Sequence, residues 1–153
     1  MTTQAGNASS ATGILTLLSI GPLEDDHSSL EVIVGHSRWT QFQVRDLPSP
    51  LTLLQKHDIA VVLCERDLTP GSWIDILENI RHLPHSPSLI VTSRLADDGL
   101  WREALNLGAW DVLRKPFGRS EVIRSVKSAW HHWLQPNSTA RPGYEGNRRL
   151  RPS

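Results

Sequence analysis

The sequence has little of several features that define whole classes of protein. Its 153 residues contain one cysteine, Cys64, which excludes an intramolecular disulfide framework and a zinc ribbon. Lysine plus arginine and aspartate plus glutamate both number 16, so no net charge favours binding to nucleic acid. Apolar runs are short and the first residues lack the pattern of a signal peptide. We therefore expect a cytoplasmic protein that binds neither nucleic acid nor a membrane.

Composition divides the chain into a central domain and two tails. Residues 1–12 are uncharged and rich in threonine, serine and alanine, and residues 135–153 are rich in proline and arginine. Both compositions are typical of tails without a packed core. The arginines of the second tail could contact an acidic partner, but a solvated tail is the simpler interpretation. The folded domain is expected over residues 13–134.

Strand-like and helix-like segments alternate five times within this domain. The expected strands are 14–19, 39–44, 59–64, 89–92 and 110–113, and the expected helices are 26–35, 50–57, 73–83, 97–107 and 120–133. Apolar strands joined by helices predict βαβ units, and hence an α/β fold with a doubly wound, five-stranded parallel sheet. In such a sheet, functional residues collect at the carboxyl ends of the strands.

Polar side chains stand at three of these strand ends. Glu65 directly follows the third strand, Thr92 ends the fourth, and Lys115 follows the fifth. Because the strands are expected to be parallel, a carboxylate, a hydroxyl and an ammonium group meet at one edge of the sheet. This combination suits phosphoryl chemistry, in which charge and hydrogen bonds stabilise the oxygens of the transferred group.

The order of these motifs resembles the receiver domain of bacterial response regulators, over about residues 13–134. The most specific part is Lys115-Pro116-Phe117, preceded by Thr92 and by the segment 65–71. The resemblance implies a CheY-like (βα)5 fold and a stand-alone role in two-component phosphorelay signalling. Its implied partners are a histidine kinase or another signalling protein, and no enzymatic activity is expected.

The resemblance also assigns roles to individual residues. Glu65 holds the position of the aspartate that accepts the phosphoryl group in the family. Thr92 holds that of the switch hydroxyl, and Lys115 that of the lysine that pairs with the phosphoryl group or the carboxylate. The family pattern further implies a cis peptide bond before Pro116.

The sequence departs from the family at three positions. Glu65 is one methylene longer than aspartate, and a displacement of about 1 Å can slow a reaction about 100-fold. The acids that hold Mg²⁺ in the family directly follow the first strand, whereas here Asp25 and Asp26 come later. These two residues are either metal ligands from a folded-back loop or acids that stabilise the start of the first helix. Finally, Val112 stands at the aromatic switch position.

These departures favour a pseudo-receiver that acts through protein–protein interaction. In this hypothesis Glu65 pairs with Lys115 and imitates a phosphorylated aspartate, and Mg²⁺ is a doubtful cofactor. A conventional, Mg²⁺-dependent receiver remains the alternative, with Asp67 as a second candidate acceptor. A small flavodoxin-like cofactor-binding protein is less favoured, because no phosphate-binding glycine loop follows the first strand.

Tryptophan is the most frequent aromatic residue, with six copies against two phenylalanines and one tyrosine. Trp101 lies on the fourth predicted helix, and Trp130 and Trp133 lie on the fifth. They either pack in the core or anchor a partner surface, such as a homodimer formed through helices four and five.

Overall fold

The structure, a computed structural model, describes residues 15–35, 37–45, 49–69 and 71–135. Apart from Gln135, the two predicted tails lie outside these ranges. The strands are β1 (Thr16–Ile20), β2 (Thr40–Val44), β3 (Val61–Glu65), β4 (Ser88–Ser93) and β5 (Asp111–Arg114). The helices are α1 (Glu24–Val34), α2 (Ser49–Lys56), α3 (Trp73–Ile80), α4 (Asp98–Leu107) and α5 (Arg119–Leu134). The predicted alternation is therefore confirmed.

The five strands form one parallel sheet in the order β2-β1-β3-β4-β5. This confirms the predicted CheY-like, doubly wound fold. β3 lies at the centre and is buried along its whole length. The chain leaves β1 for β2 on one side and reaches β3 on the other, so the strand order reverses at the carboxyl ends of β1 and β3. A crevice at such a point is where open α/β sheets bind ligands.

Helices cover both faces of the sheet, and each face has its own apolar core. Residues of α3 and α4 pack with Val62 and Val91 on one face. Residues of α1 and α5 pack with Leu63 and Ile90 on the other. Neighbouring strand residues thus alternate between the two cores, as the pleat of a strand requires. Both faces of β3 are covered, which explains the uninterrupted apolar run in its sequence.

The tryptophans of α5 belong to one of these cores. Trp130 and Trp133 are 9% and 6% exposed and pack in the core between the sheet, α1 and α5. The ring of Trp133 also stacks on His85, with 4.0 Å between the ring centroids. Their burial fits the core-packing interpretation and not an exposed partner surface. Trp101 on α4 is 43% exposed.

Local capping explains where several helices begin and end. The side chain of Asp97 accepts a hydrogen bond from the backbone N–H of Leu100 at the start of α4, and Gly108 ends that helix with a φ of 112°. α3 ends at Ile80, three residues earlier than predicted, and turns follow it. Leu83 misled the prediction because it packs against the core from outside the helix. No helix in the described ranges is long and apolar enough to cross a membrane.

Candidate functional site at the carboxyl edge of the sheet

Lys115 is the central cation of the site. Its backbone N–H donates to the carbonyl of Ser93, 3.0 Å away, and its peptide bond to Pro116 is cis, as expected. The residue is only 5% exposed. Its Nζ donates to Glu65 Oε1 and, at 2.5 Å, to Asp26 Oδ2. The predicted ion pair with Glu65 is present, and Asp26 adds a second carboxylate to it.

These contacts also determine the charge state of Lys115. Burial, the largest single effect, lowers the pKa of the ammonium group. The hydrogen bonds from Asp26 and Glu65, together with their negative charges, oppose this effect and leave the pKa raised above its ordinary value. Lys115 is therefore charged under all physiological conditions.

Glu65 uses both of its carboxylate oxygens. It ends β3 and is 7% exposed. Oε1 accepts from Lys115, and Oε2 accepts from the backbone N–H of Asp67 at 2.8 Å. Hydrogen bonds to both oxygens draw electron density from the carboxylate and make it a weaker nucleophile. The arrangement is that of a paired, stationary carboxylate.

Thr92 and the side chain of Asp67 lie beside this pair, and Asp67 contacts Glu65 through its backbone N–H. Thr92 is 5% exposed and is the register partner of Glu65 on β4, and its carbonyl accepts from the N–H of Arg66 at 2.9 Å. The side chain of Asp67 is 72% exposed and pairs with Arg66 at 3.1 Å. Within the described ranges, Lys115 contacts Glu65 and Asp26 and not Asp67.

The residues present do not form the ligand set that Mg²⁺ requires. Conventional receiver domains bind Mg²⁺ at the phosphorylation site, and this ion prefers nearly octahedral oxygen ligands. Here Asp25 is exposed in the first turn of α1, while Asp26 and Glu65 are both held by Lys115. In the part of the chain that the structure describes, no three His, Cys, Asp or Glu side chains are grouped to hold a metal.

Reasoning from sequence missed a buried polar network beside the site. His27 on α1 is 2% exposed. Its Nδ1 lies 2.6 Å from the hydroxyl of Ser19, and its Nε2 lies 2.8 Å from the carbonyl of Gly21. The signal was available, because His27 and Leu30 are spaced three apart and therefore share the buried face of a helix.

Above the ion pairs lies an open groove of about 410 Å³. Pro22, Leu23, Glu65, Asp67, Ser93, Arg94, Leu95 and Lys115 line it. Leu23 and Leu95 are 47% and 65% exposed, so two loops present apolar side chains around the buried charges. The Val112 side chain, at the expected switch position, is buried in the core and does not line this groove.

Comparisons with known proteins agree with this geometry. The model of the response regulator receiver domain family matches residues 23–127. A search of curated proteins finds no match. Conventional members of this family act in two-component signalling, and receiver domains are generally signalling domains without enzymatic activity.

Solved receiver structures share the fold at low sequence identity. The chain is similar to the signal receiver domain of an HD domain-containing protein from Pseudomonas fluorescens Pf-5, with 22% identity, 78% of this chain and 88% of that chain covered, and a TM-score of 0.70. It is also similar to the chemotaxis response regulator CheY4 of Vibrio cholerae, with 12% identity, 76% of this chain and 98% of that chain covered, and a TM-score of 0.68. The beryllofluoride-activated NtrC4 receiver domain dimer is similar with 18% identity, 77% of this chain and 98% of that chain covered, and a TM-score of 0.71. By the matching family model and the arrangement of its strands, this chain belongs to the response regulator receiver domain family.

Proposed function

We propose that this domain is a pseudo-receiver of two-component signalling, which stays unphosphorylated and acts by binding a histidine kinase or another signalling protein. It works in the cytoplasm, where such partners present their signalling domains, and it has no enzymatic activity. The observation that carries this proposal is the position of the Lys115 ammonium group, which is bound to both Glu65 and Asp26 in a buried site.

Electrostatics explain why this arrangement resists phosphorylation. The cation that would neutralise an incoming phosphoryl group is already neutralised by two carboxylates. Removing one partner of a buried ion pair typically costs about 3–5 kcal/mol, so the site does not open readily. The Glu65 carboxylate occupies the place of a phosphorylated aspartate beside Lys115, and the domain is held in one state.

The conventional receiver has a specific residue in its favour. Asp67 is an exposed carboxylate that lines the same groove as Lys115. Its side chain pairs with Arg66, whereas Lys115, the cation that would stabilise a phosphoryl group, pairs with Glu65 and Asp26. Asp67 is therefore the weaker acceptor candidate.

Intact-protein mass spectrometry after incubation with acetyl phosphate and Mg²⁺ tests the proposal. Four proteins are compared: the natural chain, Glu65→Asp, Asp67→Asn, and the double variant Glu65→Asp/Asp67→Asn. We expect no phosphoryl adduct on the natural chain. An adduct on both the single variant Glu65→Asp and the double variant, and on neither of the other two proteins, would show that Glu65 blocks an otherwise competent site.

A phosphoryl adduct on the natural chain would refute the pseudo-receiver. Its disappearance in Asp67→Asn would then identify Asp67 as the acceptor. Absence of the adduct from every protein would support a site that has lost its metal-binding function as well as its acceptor.

We also propose a homodimer formed through α4 and α5, with Trp101 as its anchor. Trp101 is a large, half-exposed aromatic side chain on α4, of the kind that dominates binding energy in interfaces. The similar NtrC4 receiver domain is described as a dimer. Sedimentation equilibrium is expected to show association of the natural chain that Trp101→Ala weakens and Val32→Ala, on the exposed surface of α1, does not. A monomer at all concentrations would refute the dimer.

A further inference from the structure

The connection between β1 and α1 is organised by a buried histidine. His27 bridges two points of the preceding segment, the side chain of Ser19 in β1 and the carbonyl of Gly21 just after it. A neutral imidazole with its proton on Nε2 satisfies both contacts, because Nε2 donates to Gly21 and Nδ1 accepts from the Ser19 hydroxyl. Gln41 on β2 also donates to the Ser19 oxygen at 3.2 Å. α1, β1 and β2 are thereby joined through polar contacts.

The histidine is connected to both carboxylates that hold Lys115. Asp26 is its neighbour in sequence, in the first turn of α1. Gly21 lies directly against Glu65, since a Cβ atom added to Gly21 would stand 3.2 Å from the Cβ of Glu65. The N–H of Gly21 donates to the carbonyl of Val44 at 3.1 Å, so both of its backbone polar groups are fixed. A shift of His27 would therefore move Asp26 and release the loop that packs on Glu65.

We propose that His27 is a positioning residue that takes over the organising role of a metal ion. In this chain β1 is followed by residues without a carboxylate, and His27 fills the space between β1 and α1 with hydrogen bonds instead. It fixes the rotation of the first turn of α1, so that Asp26 and Glu65 converge on Lys115. This inference rests on the proposed function, because the ionic triad of Lys115, Asp26 and Glu65 is the state that His27 holds.

A core residue that merely fills space would not need this chemistry. A leucine has a similar volume and would avoid burying two polar atoms. It would also leave the carbonyl of Gly21 without its donor, and buried unpaired polar groups are strongly disfavoured. The imidazole is the group that satisfies an acceptor and a hydroxyl at the same time.

Nuclear magnetic resonance of the Lys115 ammonium group tests the inference. Exposed lysine ammonium protons exchange rapidly with water, whereas those of a buried, ion-paired lysine persist. The full chain is compared with His27→Leu and with Ser19→Ala, which removes one of the two contacts of His27. Ser19→Ala is the milder change and keeps the inference testable if His27→Leu does not fold. The matched control is Ser125→Ala, which removes another buried serine hydroxyl, bound to Asp111 Oδ2 at 2.6 Å.

We expect the Lys115 ammonium protons to exchange at least about tenfold faster in Ser19→Ala, and their signal to vanish in His27→Leu. Ser125→Ala is expected to lower the melting temperature by a similar amount to Ser19→Ala and to leave the ammonium signal unchanged. An unchanged signal in Ser19→Ala and His27→Leu would overturn the inference. Equal loss of the signal in Ser125→Ala would also overturn it, since general loosening would then explain the effect.

The two proposals fail in different measurements. A phosphoryl adduct on the natural chain refutes the pseudo-receiver, whatever the ammonium signal shows. If the natural chain stays unphosphorylated and the Lys115 ammonium signal is unchanged in Ser19→Ala and His27→Leu, only the positioning role of His27 is refuted.

Discussion

Replacing Lys115 by methionine removes the cation that the buried carboxylate of Glu65 and the partly buried carboxylate of Asp26 share. The lysine side chain is 3% exposed, and those of Glu65 and Asp26 are 9% and 17% exposed, so water screens the remaining charges weakly. Loss of one partner from a buried ion pair typically lowers the free energy of unfolding by about 3–5 kcal/mol. For a domain of this size that corresponds to a melting temperature lower by about 10–30 °C.

Urea unfolding followed by tryptophan fluorescence measures this change. Lys127→Met is the matched control, because Lys127 is an exposed lysine of α5 that forms no ion pair in the described ranges. Adding Glu65→Gln to Lys115→Met removes one of the repelling charges and is expected to recover part of the stability. A Lys115→Met variant that unfolds within about 1 kcal/mol of the natural chain would refute the reasoning, since exposed ion pairs contribute no more than that.

The same ion pairs determine how stability depends on pH at the alkaline end. The folded-state pKa of Lys115 is raised above its ordinary value, so the folded protein holds this proton more tightly than the unfolded chain. The contribution is fully present below the ordinary value of 10.5 and is lost as pH rises through the raised folded-state pKa. Natural protein should therefore lose stability above about pH 10.5 more steeply than Lys115→Met.

Three further outcomes follow from local features. Gly108→Ala forces an alanine into a φ of 112° and should lower the free energy of unfolding by about 1–2 kcal/mol; unchanged urea stability would contradict this. Ser72→Ala removes the capping box of α3 and should cost about 1 kcal/mol in the same assay, whereas the exposed Ser28→Ala should cost almost nothing. Burial, followed by the charge of Glu65, raises the pKa of the Cys64 thiol, so a thiol reagent at pH 8 should label Cys64 only in urea. Rapid labelling without urea would show that β3 is accessible.

The strands and the main site residues could be predicted because buried parallel strands leave a strong pattern. β3 and β4 contain the continuous apolar runs 61–64 and 89–91, and Glu65 and Thr92 stand where those runs end. The Lys115-Pro116 pair then follows the last strand. These features depend on local sequence and on the rule that parallel strands align their carboxyl ends.

Contacts between distant segments could not be predicted in the same way. Asp26 and Lys115 are 89 residues apart, and only the packing of α1 beside the sheet brings them together. From the sequence, Asp26 was expected to be either a metal ligand or an acid that stabilises the start of the helix. Neither expectation included its contact with Lys115. His27 was overlooked because the apolar pattern of its helix does not indicate which groups its ring nitrogens contact.

The contacts of Lys115 join β3, β5 and α1, which are far apart along the chain. Helix ends usually fray, so amides near them exchange with solvent through small local openings. Here the first turn of α1 can separate from the sheet only if a buried ion pair breaks. Opening of this end of α1 therefore costs more than the ordinary fraying of a helix end, because it breaks the contact between Asp26 and Lys115.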